Sequence, residues 1–220
     1  MQRVPEPELM DAPEQARAYA EADFAEAHDQ LMSAFTRHFP DADPRHVLDL
    51  GCGPADVTMR FARAWPAARV DGIDAGPNML GLGRRAVAAA GLSGRVRLYS
   101  GYLPGAEPPR PAYDTIISNS LLHHLAGPGA LWEAVGRFGA PGARVLVMDL
   151  ARPADERAWE ELVERYAADA PAVLREDFGN SLRAAYRPEE VAVQLDRAGL
   201  PLSVELISDR HLVVWGRLPA

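Results

Sequence analysis

The chain has 220 residues, 48% of them apolar and 25% charged, with a net charge of −8; this suits one α/β domain with a buried core and provides no overall field to draw nucleic acid. All 23 basic residues are arginine, which excludes a Walker-type phosphate lysine, a kinase-type strand lysine and Schiff-base chemistry. The lone cysteine, Cys52, excludes an intramolecular disulfide and a cysteine-built metal site; no run approaches the ~20 apolar residues of a membrane span, and the acidic, proline-rich start has no apolar signal core, so the cytoplasm is the expected compartment.

Residues 1–10 read as a loose tail. Asp11 is placed to cap a helix, with Glu14 at the capping-box position. Ala16, Ala20, Phe24, Ala27, Leu31 and Phe35 recur at helical spacing, which predicts one helix over about Ala12 to His38. Strands follow at His46–Leu50, Arg69–Asp74, Val96–Ser100, Tyr113–Asn119 and Arg144–Leu150. Helices alternate with them at Asp56–Trp65, Asn78–Ala90 and Ala130–Phe138. The Pro141-Gly142 turn precedes the fifth strand. Beyond Arg152 the pattern gives a helix over Pro153–Tyr166, a polar irregular stretch over Ala167–Tyr186, a helix over Pro188–Ala198, and strands at Leu202–Ser208 and His211–Gly216. Alternating strands and helices with short connections predict an α/β fold, a Rossmann-like doubly wound, mainly parallel seven-stranded sheet closed by an antiparallel hairpin. A single domain over 1–220 is expected: tail and cap helix over 1–45, core over 46–150, a helical lid insertion over 151–187, and a final helix and hairpin over 188–220. Ligands of such sheets bind beyond the carboxyl ends of the strands, which here are Leu50, Asp74, Ser100, Asn119 and Leu150.

The first strand runs into Asp49-Leu50-Gly51-Cys52-Gly53-Pro54-Ala55-Asp56. Gly51 and Gly53 allow a tight bend with a ligand against the backbone. A dinucleotide fingerprint needs a third glycine where Asp56 stands, and Asp49 and Asp56 would repel a pyrophosphate, whereas they suit a cationic ligand. Val47-Leu48-Asp49-Leu50-Gly51-Cys52-Gly53 resembles motif I of class I S-adenosylmethionine (SAM) dependent methyltransferases, with Pro54-Ala55 in place of the last glycine. Val70-Asp71-Gly72-Ile73-Asp74 resembles the family's second strand. Tyr113-Asp114-Thr115-Ile116-Ile117-Ser118-Asn119-Ser120-Leu121-Leu122-His123-His124-Leu125 resembles its fourth strand and the segment after it. Gly139-Ala140-Pro141-Gly142 resembles the turn before strand five.

The resemblance implies SAM as cofactor, with Asp49, Gly51, Cys52 and Gly53 at its methionine and ribose end and Asp74 on the ribose hydroxyls. Met79 and Tyr102 would lie near adenine, Ala75 and Gly101 elsewhere along the cofactor, and Asn119 near the sulfonium. Met79 has an equal reading as helix packing, and Tyr102 stands where the family often has an acid. The implied activity is methyl transfer to a small molecule by in-line displacement. The alternatives are a SAM-binding scaffold or a methyltransferase acting on RNA or protein.

Methyl transfer from a sulfonium needs a general base only when the nucleophile carries a proton. His123 and His124 follow the fourth strand and are the candidates; capping and packing are their other reading. His28, His38, His46 and His211 do not make a metal spacing and read as structural or solvated; no metal is expected. Arg152, Arg175, Arg183, Arg187 and Tyr186 offer a grip on an acidic substrate, but the acids that share their region offer them partners. Tyr19, Asp23 and Phe24 are placed to cover the substrate. A small-molecule partner is expected, with no nucleic acid or membrane, in a monomer or homodimer.

Overall fold

A computed structural model describes residues 1–6, 9 and 11–220. Its strands are β1 (His46–Leu50), β2 (Arg69–Asp74), β3 (Val96–Ser100), β4 (Tyr113–Asn119), β5 (Gly139–Leu150), β6 (Ser203–Leu206) and β7 (His211–Arg217). They form one sheet in the order β3-β2-β1-β4-β5-β7-β6. The first five run parallel, and β7 is antiparallel to both β5 and β6. The sequence order reverses between β1 and β4, and that is where an open α/β sheet leaves a crevice.

The helices are α1 (Pro13–Glu21), α2 (Ala25–His38), α3 (Asp56–Ala64), α4 (Pro77–Ala89), α5 (Gly129–Phe138), α6 (Glu156–Ala167), α7 (Ala172–Ala184) and α8 (Pro188–Ala198). Alternate strand residues feed two cores, since successive side chains point to opposite faces. Val47, Val70 and Ile117 pack with Leu31 and Phe35 of α2, Phe61 of α3 and Leu80 of α4. Leu48, Ile116 and Val145 pack with Trp132 and Val135 of α5 and Leu195 of α8. The sheet is therefore covered on both faces, as the near-continuous apolar runs of its parallel strands require.

Five expectations are corrected. The first helix is two: Ala22 is extended, and the Asp23 carboxylate accepts from Ala25 N at 2.9 Å. An aspartate side chain that bonds the backbone two residues on competes with the helix ladder, and the continuous apolar stripe concealed the break. Asp11 does not cap its own helix. Its Oδ1 accepts from Asn78 N at 2.9 Å and Met79 N at 3.3 Å, so it caps α4 from a distance. Residues 1–6 are docked on the protein rather than loose: Val4 N donates to Arg183 O at 3.0 Å and the Arg3 guanidinium lies 4.1 Å from the Tyr186 ring centroid. The stretch expected to be irregular contains α7. Small residues make its contact, because a side chain at Gly179 would meet Trp159 of α6 at 2.8 Å, and Trp159 Nε1 donates to Gly179 O at 2.8 Å; no broad apolar stripe is needed. Finally, β5 starts at Gly139, and the expected turn is absorbed as a bulge with Gly142 at φ +72°.

Candidate functional site

The bend after β1 is held by its neighbour strand. Gly51 N and Cys52 N both donate to Ile73 O, at 2.8 and 3.0 Å. Gly51 has φ +73°, and a Cβ there would meet Leu121 at 2.8 Å, so glycine is required on two counts. Asp74, at the end of β2, fixes the loop further. Its Oδ2 accepts from Gly53 N at 2.8 Å and its Oδ1 from Gly76 N at 2.7 Å. Each oxygen retains a lone pair for a ligand hydroxyl. Burial raises the Asp74 pKa, against the pull of the Gly76, Gly53 and Ala75 amides. Asp49 is 1% exposed, and Thr58 Oγ1 donates to it at 2.6 Å. Burial pushes its pKa up to about 7, with the Asp74 charge adding to the effect and the Thr58 bond opposing it.

These groups open onto a cavity of about 570 Å³ at the carboxyl ends of β1, β2 and β4. Asp49, Gly51, Cys52, Gly53 and Asp74 line it, and so do Ala75, Met79, Gly101, Tyr102 and Asn119. Asn119 stands in the wall, and its Oδ1 is buried with no hydrogen-bond partner among the described residues. Tyr19 of α1 and Phe24, just before α2, line the cavity with ring centroids 4.7 Å apart. Burial, followed by the charge of Asp74, pushes the Tyr19 phenol up to about 12.

The two candidate bases separate. His124 lines the cavity, whereas His123 is not part of its wall. His123 is 2% exposed and its Nδ1 lies 2.5 Å from Asp149 Oδ1. Asp149 in turn accepts from Leu122 N and Leu150 N, each at 2.7 Å. The Glu6 Oε1 is 3.5 Å from His123 Nε2 and 3.2 Å from His124 Nδ1. Burial pulls the His123 pKa down, but Asp149 and Glu6 outweigh it and raise it. Glu6, His123 and His124 also bring one ligand-type atom each within 4.8 Å of one another, the set a metal ion would meet there. Glu6 thereby joins the tail to the turn after β4.

Arg152 and Tyr186 are not brought to the cavity wall. The Arg152 guanidinium donates to Glu190 at 2.5 Å and to Ala185 O at 2.8 Å, and Tyr186 lies under Arg3. Conversely, His28, read as structural or solvated, stands in the wall. Its Nδ1 is 2.5 Å from Asp56 Oδ2, which Arg60 Nε also reaches at 2.7 Å. The His28 hydrogen bond, then Arg60, overcome burial and hold the Asp56 carboxyl at about 2. The signal available in the sequence was position: His28 falls on the stripe of Phe24, Leu31 and Phe35, where an imidazole is out of place without a partner. Arg60 and Glu133, also in the wall, carry no such signal.

A family profile described as a methyltransferase domain matches residues 47–142. Trans-aconitate 2-methyltransferase of Streptomyces coelicolor is 30% identical over 187 residues, covering 78% of this chain and 56% of that protein. The enzyme of the same name from Streptomyces avermitilis is 33% identical over 154 residues, 61% of this chain and 55% of that one. The chain thus spans little more than half the length of these relatives. Among solved structures, a SAM dependent methyltransferase from Aquifex aeolicus superposes with a TM-score of 0.72 at 17% identity, over 94% of this chain and 98% of that one. The plantazolicin methyltransferase BpumL, in complex with a triazolic desmethylPZN analog and SAH, does so at 0.70 and 13% identity, over 94% and 92%.

Proposed function

We propose that this chain, which belongs to the class I SAM-dependent methyltransferases, moves a methyl group from SAM to a small-molecule acceptor in the cytoplasm. One observation carries the reading: a side-chain-free bend and the Asp74 carboxylate meet at one end of a 570 Å³ cavity, within the ~300–1,000 Å³ range of small-ligand sites. The residues fit the cofactor. Asp74 has lone pairs to spare for two vicinal ribose hydroxyls. Asn119, at the end of β4 in the wall, is assigned to the sulfonium side. Asp49, whose burial disfavours its charge, gains an ionised form beside a cation. Met79 and Tyr102 are taken to lie near adenine, with Ala75 and Gly101 elsewhere along the cofactor.

When bound, SAM supplies a methyl group on a sulfonium, already activated for in-line displacement. The work left to the protein is to orient the acceptor and exclude water. Tyr19 and Phe24 are suited to that cover. A proton leaving the acceptor is assigned to His124, the histidine of the pair that faces the cavity. His123, held by Asp149, is assigned a positioning role. The relatives are named for trans-aconitate, a small molecule; acceptor size is the part of that likeness carried over here.

The test is calorimetric binding of SAM and S-adenosylhomocysteine (SAH), followed by release of SAH from SAM with a broad panel of small molecules. The expected result is saturable binding of both, insensitive to salt, with turnover on part of the panel. Tight binding without turnover would favour the scaffold reading. Steeply salt-dependent capture of RNA would favour a nucleic-acid substrate.

A further inference from the structure

We infer that the acceptor carries a positive charge and is not a polycarboxylate, an inference that rests on the methyl-transfer reading above. Among the described residues the cavity wall holds Asp23, Asp49, Asp56, Asp74 and Glu133 against Arg60, His28 and His124. Asp49 and Asp74 are assigned to the cofactor and Asp56 is shared by His28 and Arg60, which leaves Asp23 and Glu133 facing the acceptor. The one arginine is already committed: Arg60 is shared between Asp56 and Asp29. The arginines that might have gripped a carboxylate are spent elsewhere. Arg152 pairs with Glu190, Arg175 with Glu164 and Arg183 with Glu156, while Arg187 donates to Ala154 O; none of them lines the cavity. A tricarboxylate entering this site would find no guanidinium to receive it, and leaving such charges unpaired on desolvation costs far more than it returns.

The same wall suits a cation. Asp23 and Glu133 are exposed at the cavity and have no arginine partner among the described residues. Beside Asp23 stand the rings of Tyr19 and Phe24, 4.7 Å apart by their centroids, and aromatic faces attract cations. Carboxylates of one sign around a low-dielectric cleft also raise the local concentration of an oppositely charged ligand. The charged group is what the wall recognises, whether or not it is the atom methylated.

The experiment uses the full chain saturated with SAH, titrated by calorimetry at low salt with phenethylamine and, separately, with trans-aconitate. Phenethylamine should bind saturably and trans-aconitate should not. The double variant Asp23→Asn with Glu133→Gln should weaken phenethylamine about tenfold through loss of two exposed charge contacts, without a change in melting temperature. Tighter binding of trans-aconitate overturns the inference, as does binding of neither probe or an unaltered phenethylamine affinity in the double variant. Failure of SAH itself to bind would instead remove the methyl-transfer reading beneath it.

Discussion

The two ends of the cavity are built by different means. The end formed by β1, β2 and β4 is made of backbone turns and strand termini: Gly51, Gly53, Asp74 and Asn119 occupy positions set by local geometry. The cover is made of docking contacts between distant segments: the tail on α7, Asp11 on α4, Glu6 on the two histidines. A site whose geometry is local can be read from spacing, and one whose geometry is tertiary cannot. The division also sorts the chemistry, since the methyl donor is assigned to the first end and acceptor choice to the second.

Four measurements bear on that contrast, in order of expected effect on cofactor affinity. Asp74→Ala should weaken SAH binding by about 2 kcal/mol, roughly thirtyfold, through loss of charged hydrogen bonds; unchanged calorimetric affinity would show that the backbone end does not hold the ribose. Asp49 adds a pH dependence. Its folded pKa near 7 lies above its ordinary value of 3.8, so its contribution to stability is full below about pH 4 and is lost as pH rises through about 7. A cation beside it reverses the preference, so SAH affinity should rise by up to about tenfold per pH unit between pH 5.5 and 7. Asp49→Asn should flatten that rise and lift the melting temperature of the free protein at pH 8; an unaltered pH profile would contradict the placement of the ammonium.

Asp11→Ala tests the cover. Loss of a helix cap costs about 1 kcal/mol, or roughly 2–4 °C in melting temperature for a chain of this size, with SAH affinity falling only a few-fold as Met79 loosens. Arg152→Met should have the smallest effect on binding. It strips Glu190 of its partner and lowers the melting temperature, yet SAH affinity should stay within about twofold because Arg152 lies off the cavity. A large loss there would mean that the two ends are not separable.

The parallel core was legible because its signals are short in range. The helix α8 falls on Pro188–Ala198 as the proline start and the apolar spacing indicate, and β1 to β4 match their apolar runs. All ten residues expected around the cofactor line one cavity, although what each does there is a matter for binding experiments. The failures share a cause. The break at Ala22 to Phe24 lies inside an unbroken stripe, α7 packs through Gly179 onto Trp159, and Arg152 turns to Glu190. Each depends on a residue remote in sequence or on which of several acids an arginine selects, and spacing carries neither. The separation of His123 from His124 is of the same kind, because Asp149 holds the one and not the other.

The cap that Asp11 lends to α4 has a thermodynamic corollary. Its carboxylate and that of Asp74 both crowd Gly76, where an added Cβ would stand 2.7 Å from one and 3.2 Å from the other. The N-terminal segment's anchor and the Asp74 carboxylate thus meet at a single backbone unit. If the Asp74 end holds the nucleoside as proposed, any coupling between the two is reciprocal: the free energy by which ligand alters the seating of the N-terminal segment equals that by which the segment alters ligand affinity. Protease protection of that segment would then serve as a reporter of nucleoside occupancy, with no need to know the acceptor.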